Sequence, residues 1–95
     1  MSRSSFTPTA ILFRRWLKKK RVDSGLTQVV LATRLDRPQS FVAKYESGER
    51  RIDVVEFIWI AEAIGFDPSE FIKDLVTAIA DSENPLRDVS EREPT

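Results

Sequence analysis

Apolar side chains recur at three- and four-residue intervals along most of this chain, and Gly, Pro, Ser, Thr and Asp interrupt the recurrence at intervals. That spacing predicts amphipathic helices. Thr7-Pro8 supplies an N-cap followed by a proline at the first helical position, opening a helix expected to run to about Ser24 and stop at Gly25. Ala10, Phe13, Leu17 and Ser24 lie close to one stripe of it, with Arg14, Arg15, Lys18 and Lys19 on the other side. Thr27 caps a second helix, QVVLATRL, in which Val30, Leu31, Arg34 and Leu35 have the i, i+4 spacing of a half-buried element. Asp36-Arg37-Pro38 breaks it; Pro38 suits the first turn of a third helix, which Ser47-Gly48 ends.

Asp53 with Glu56 reads as a capping box for a fourth helix ending near Gly65, and Asp67-Pro68-Ser69-Glu70 repeats the device for a fifth ending near Asp81. In the fourth helix Val54, Phe57, Ile58, Ala61 and Ile64 form one apolar stripe, while Val55, Trp59 and Ala63 form another. A helix with two apolar faces must be covered twice. Phe71, Ile72, Leu75, Val76 and Ile79 of the fifth helix supply one cover, and a second subunit or a protein partner is expected at Val55, Trp59 and Ala63. The fold expected is all-α, a compact five-helix bundle over residues 8–81, with a flexible arm at 1–7 carrying Arg3 and a mobile acidic tail at 82–95.

Ninety-five residues, 41% hydrophobic and 32% charged, fit one small domain with a single core. The longest uninterrupted apolar stretch is FIWIA at 57–61 and the N-terminus has no apolar signal region, so neither a membrane span nor secretion is expected; the cytoplasm, alongside the nucleoid, is. Without cysteine or histidine, the thiolate nucleophile, the usual general base and the usual transition-metal ligands are missing. The three glycines sit at helix ends rather than in a phosphate-cradling loop, and the carboxylates lack metal-ligand spacing. An enzyme is not expected, nor a cofactor or metal. Charge adds a different hint. The net is zero, but residues 1–51 hold 12 Lys and Arg against 4 Asp and Glu, while residues 52–95 hold 3 against 11. One half therefore faces a polyanion more readily than the other.

On a helical wheel, Gln39, Ala43, Ser47, Ser40 and Lys44 of the third helix occupy an arc from 0 to about 140°, whereas Phe41, Tyr45, Pro38 and Val42 lie from about 200 to 300°. The first arc carries hydrogen-bonding side chains around a small alanine and has no acidic residue. Such a face suits the DNA major groove: Gln bonds bidentately to the adenine edge, Lys reaches guanine or a phosphate, and Ser adapts to either. Phe41 borders the two arcs, and either packs in the core or meets a thymine methyl.

The stretch GLTQVVLATRLDRPQSFVAKYESGERR resembles the helix-turn-helix of the phage-repressor/Cro group, the XRE family of regulators, with its Leu-Thr-Gln, Leu-Ala and Tyr-Glu-x-Gly runs. The resemblance covers roughly residues 13–66. Counting Gln28 as the first position, small Ala32 is fifth, Asp36 ninth and apolar Val42 fifteenth; where the family usually has glycine at the ninth position this chain has Asp, a residue that enters left-handed backbone at modest cost. The resemblance implies that Gln28 bonds a DNA phosphate and that Arg50 and Arg51 hold the next phosphates; beside them, Gln39, Ser40 and Lys44 from the wheel, with Phe41 at its border, are the candidate base contacts. It also implies a partly buried ion pair between Arg21 and Glu46. The expected function is a sequence-specific transcriptional regulator, a repressor, binding double-stranded DNA at a palindromic operator as a homodimer. The alternative is an antitoxin-like or adaptor module on the same fold, whose protein partner sits on the fourth and fifth helices or the tail.

Overall fold

Thr7 opens the chain's first helix by accepting a hydrogen bond from the Ala10 N–H at 3.2 Å, with Pro8 behind it. In this computed structural model, which describes residues 7–81, helix α1 runs Pro8–Asp23, α2 Gln28–Leu35, α3 Gln39–Ser47, α4 Val54–Ile64 and α5 Pro68–Asp81. The proposed tail at 82–95, and all of the proposed arm but Thr7, lie outside the described residues. Among the described residues no helix is long and apolar enough to cross a membrane.

The capping chemistry explains most boundaries. Thr27 accepts from the Val30 N–H at 3.1 Å, and the box at α4 is reciprocal: the Glu56 N–H donates to Asp53 at 2.7 Å and the Asp53 N–H to Glu56 at 3.0 Å. At α5 the box expected from Asp67 and Glu70 is one-sided. Asp67 accepts from the Ser69 N–H and hydroxyl at 2.9 and 2.7 Å and from the Glu70 N–H at 3.4 Å, and no return bond from the Asp67 N–H to the Glu70 carboxylate is found among the described residues. Pro38 is the N-cap of α3, one position earlier than the first-turn place its sequence context predicts. Asp36 takes φ 58° and ψ 43°, ending α2 in left-handed backbone where the turn requires it.

Helix α2 packs on α3 and α4, α1 on α3, and α4 on α5. Leu17, Leu31, Val42, Tyr45, Ile60 and Ala61 are essentially sealed from solvent. Ala32, 2% exposed, is the small residue at the α2–α3 contact. On the opposite side Phe71 is the hub of an aromatic cluster, with ring centroids 5.8 Å from Phe13, 5.7 Å from Trp16, 5.2 Å from Phe57 and 5.3 Å from Phe66.

Several positions differ from the periodicity reading. Val54 and Ile58, placed on the buried stripe of α4, are exposed, and Ile60, on neither stripe, is fully buried. Helix α4 is apolar almost all round, so its own pattern does not select a face; the positions of α2 and α5 do. For the same reason Ile72 and Val76 of α5 face solvent while Phe71 and Leu75 are buried. Ser24 and Val30 are also exposed.

Candidate nucleic-acid interface

Helix α3 divides as its wheel predicts: Phe41, Val42 and Tyr45 are buried, Ala43 is half-buried, and Gln39, Ser40, Lys44 and Ser47 are exposed. It is held at an orientation by charge. Arg21 of α1 donates through Nε to Glu46 Oε2 at 2.7 Å and through Nη2 to Oε1 at 2.9 Å, while its Nη1 donates to the Leu26 carbonyl at 2.9 Å. The Arg21 and Glu46 side chains are only 9% and 4% exposed. The bond to Glu46 holds the Arg21 guanidinium above its ordinary value, against the opposing effect of burial.

From this pair a chain of hydrogen bonds runs to the surface. Gln28 Nε2 donates to Glu46 Oε1 at 2.9 Å, and Gln39 Nε2 donates to Gln28 Oε1 at 3.2 Å. The polarity of both amides follows from the first partner. An ionised carboxylate only accepts, so Gln28 turns its NH₂ toward Glu46 and its carbonyl toward Gln39; Gln39 answers with its own NH₂. Its carbonyl and second N–H remain for a ligand. Gln28, expected on a phosphate, thus also links the ion pair to Gln39, with one amide hydrogen still unspent.

The loop after α3 is organised differently from the expectation. Arg50, assigned to a phosphate, makes a two-pronged bond to Glu56 of α4, Nη1 to Oε1 at 3.1 Å and Nη2 to Oε2 at 3.0 Å, and also donates to the Arg51 carbonyl at 3.0 Å. It braces the loop against the α4 capping box. The bond to Arg50 and, after it, that to the Asp53 N–H hold the Glu56 carboxyl below its ordinary value, with burial opposing. Arg51 is exposed in the same loop.

Phe41 requires a correction too. Its ring is 7% exposed and packs edge-on against Tyr45 at 5.5 Å, with the Arg37 and Arg50 guanidiniums over it at 5.0 and 4.8 Å. A ring buried in the core and covered by two cations is not presented to a thymine methyl, so of the two alternatives the core reading holds. Arg37 was missed from the sequence. It also lies 5.9 Å from the Trp59 ring, and its spacing of four residues from Phe41 was the available signal. Of the expected partner-facing residues, Val55 and Trp59 are half-exposed and Ala63 is half-buried, its carbonyl accepting from Arg34 at 2.8 Å.

Two helices joined by a tight turn, the second seated on a core and showing an exposed polar arc, define a helix-turn-helix protein. The helix-turn-helix family model HTH_3 matches residues 17–71. The chain belongs to this family, with the XRE-type regulators, and is a DNA-binding transcriptional regulator rather than an enzyme. It is 33% identical over 64 residues, 67% of this chain and 84% of the relative, to the uncharacterised HTH-type transcriptional regulator YqaF of Bacillus subtilis (strain 168). Among solved structures it is similar to an XRE-family like protein from Pseudomonas syringae pv. tomato str. DC3000, at 43% identity and TM-score 0.70, covering 72% of this chain and 83% of that one. It is also similar to the restriction-modification controller protein C.AhdI from Aeromonas hydrophila, at 30% identity and TM-score 0.59, covering 64% of this chain and 92% of that one.

Proposed function

We propose that this regulator is sequence-specific and reads the major groove with α3, Gln39 meeting an adenine and Ser40 and Lys44 its neighbours. The observation that carries the reading is the fixed amide of Gln39: an outward carbonyl beside one N–H matches the adenine N6/N7 pair, whereas guanine offers two acceptors. Gln28 and Arg51 hold phosphates on either side of α3.

The working unit is a homodimer on a palindromic operator, with half-sites about 34 to 36 Å apart. Apolar side chains left exposed on adjacent helices support it: Val54 and Ile58 on α4, Ile72 and Val76 on α5. Val54, Ile58 and Ile72, together with Phe13 and Phe57, border an apolar groove of about 600 Å³. This face, rather than the Trp59 side, is the proposed dimer seam. Repression is the proposed outcome, because a bound dimer occludes the promoter it covers. The protein acts in the cytoplasm, at the nucleoid.

Selection from a random duplex pool tests the proposal, and an enriched, two-fold symmetric site is expected. On that site Gln39→Ala should cost about 1 to 3 kcal/mol and on random duplex almost nothing, whereas Arg51→Ala should weaken both alike. A pool that enriches nothing, with Trp59→Ala abolishing association with a copurifying protein, would instead favour the adaptor reading.

A further inference from the structure

Arg37, in the turn between α2 and α3, carries a half-buried charge whose hydrogen-bond donors the fold leaves unspent. Its guanidinium lies over the Phe41 ring at 5.0 Å and the Trp59 ring at 5.9 Å, and its side chain makes no hydrogen bond or ion pair among the described residues. The Glu56 carboxyl, held down chiefly by its bond from Arg50, responds to this charge as well. Its oxygens, however, already accept from Arg50 and the Asp53 N–H.

A guanidinium resting on aromatic rings spends its flat face on them and keeps its N–H groups directed outward in its own plane. That is the arrangement a two-pronged bond to an anion needs, with the rotamer fixed in advance. Phe41, 7% exposed, is a rigid seat because the core holds it. Trp59 is 48% exposed, and its ring is the second support.

The position of this group relative to α3 identifies the anion. The polar arc of the helix has two edges: Gln39 stands at one, bonded to Gln28, and Lys44 at the other, with Phe41 about 60° beyond it. A helix lying in the major groove has a phosphate strand along each flank. Gln28 belongs to the first flank. Arg37, seated on Phe41, belongs to the second, with the loop whose Arg50 covers the same ring at 4.8 Å.

We infer that Arg37 grips a DNA phosphate on this second flank, and that Trp59 is the positioning residue that holds its guanidinium for it. The inference rests on the reading of α3 as the helix in the groove.

Arg37→Met keeps an apolar stem over the rings and removes the fork, so the fold is preserved. Titrated against random duplex over a range of salt, this variant should bind about five- to tenfold more weakly at roughly 0.1 M, and the slope of log K against log salt should fall by about 0.9 for each bound subunit. The selected site should weaken by the same factor. Arg37→Lys should restore the slope and part of the affinity, because it returns the charge without the fork. Trp59→Ala should weaken duplex binding about two- to threefold in the parent protein and have no effect in the Arg37→Met background. An Arg37→Met variant with the parent's slope would overturn the inference, whether affinity is retained or lost, since a brace between helices releases no counterion. Trp59→Ala and Arg37→Met acting additively would overturn the positioning role. In either case Gln39→Ala still losing the selected site would leave the reading of α3 standing, whereas a parent protein that binds no duplex would overturn both.

Discussion

A side chain that reads a base edge is best aimed before the base arrives, since every rotor frozen on binding subtracts from affinity. Gln39 is aimed through Gln28 by the Glu46 carboxylate, itself gripped by two bonds from Arg21, so the direction of an exposed amide is settled by a buried ion pair. Asp36 shows the opposite situation, a residue retained at a backbone cost. Its φ of 58° lies in the left-handed region, where a Cβ is penalised, and its neighbours demand that conformation because Arg37 N–H must reach the Ala32 carbonyl at 3.0 Å. Asp36→Gly is therefore expected to stabilise the protein by up to about 1 kcal/mol, read as a raised urea midpoint with unchanged slope. At this scale the sequence was legible where a residue's neighbours in the chain define its role, as for Asp36. It was silent on the bond from Arg50 to Glu56, because only the fold brings that carboxylate to a loop arginine.

Helix α3 is an exposed element on a small core, and two ion pairs tie it and the loop behind it to other helices: Arg21–Glu46 to α1, Arg50–Glu56 to α4. The two differ in burial and hence in what breaking them does. Arg21→Leu leaves Glu46 buried without its partner and is expected to cost about 3 to 5 kcal/mol in denaturant unfolding. The second pair is more exposed and shows itself in the pH dependence. Glu56 has a folded-state pKa below its ordinary 4.5, so the unfolded chain takes up its proton more readily. Its contribution is complete above that ordinary value and disappears as the pH falls through the lowered one. Glu56→Gln should accordingly lose stability less steeply than the parent protein on acidification below about pH 5, measured by urea titrations at stepped pH. The five helices themselves were legible from caps and spacing, since capping is local. Which face of α4 and α5 lies inward was not, because both are apolar over more than one arc and only their neighbours select among the arcs.

Over the whole molecule, α4 and α5 leave Val54, Ile58, Ile72 and Val76 open to water on one side and α4 leaves Val55 and Trp59 open on another. Surfaces of this kind are where monomers find partners. If the proposed seam is the α4–α5 face, Ile58→Asp should convert a dimer to monomer in sedimentation at micromolar concentration and weaken operator binding far more than random-duplex binding. Trp59→Ala should leave the sedimentation unchanged. The opposite pattern would transfer the seam to the Trp59 side. The split of charge between the chain's halves also finds a place here: α3 and the loop after it fall in the basic half, α4 and α5 in the acidic one.

The sequence by itself determined the five helices, the left-handed turn at Asp36 and the division of α3 into a core side and a polar side, because each depends on residues within a few positions of one another. Tertiary structure alone decided that Ile60 is interior while Val54 and Ile58 are not, that Arg50 serves Glu56, and that Tyr45 is sealed in the core. Those outcomes depend on which surfaces meet across the chain, and burial and charge pairing are properties of that meeting rather than of any local run.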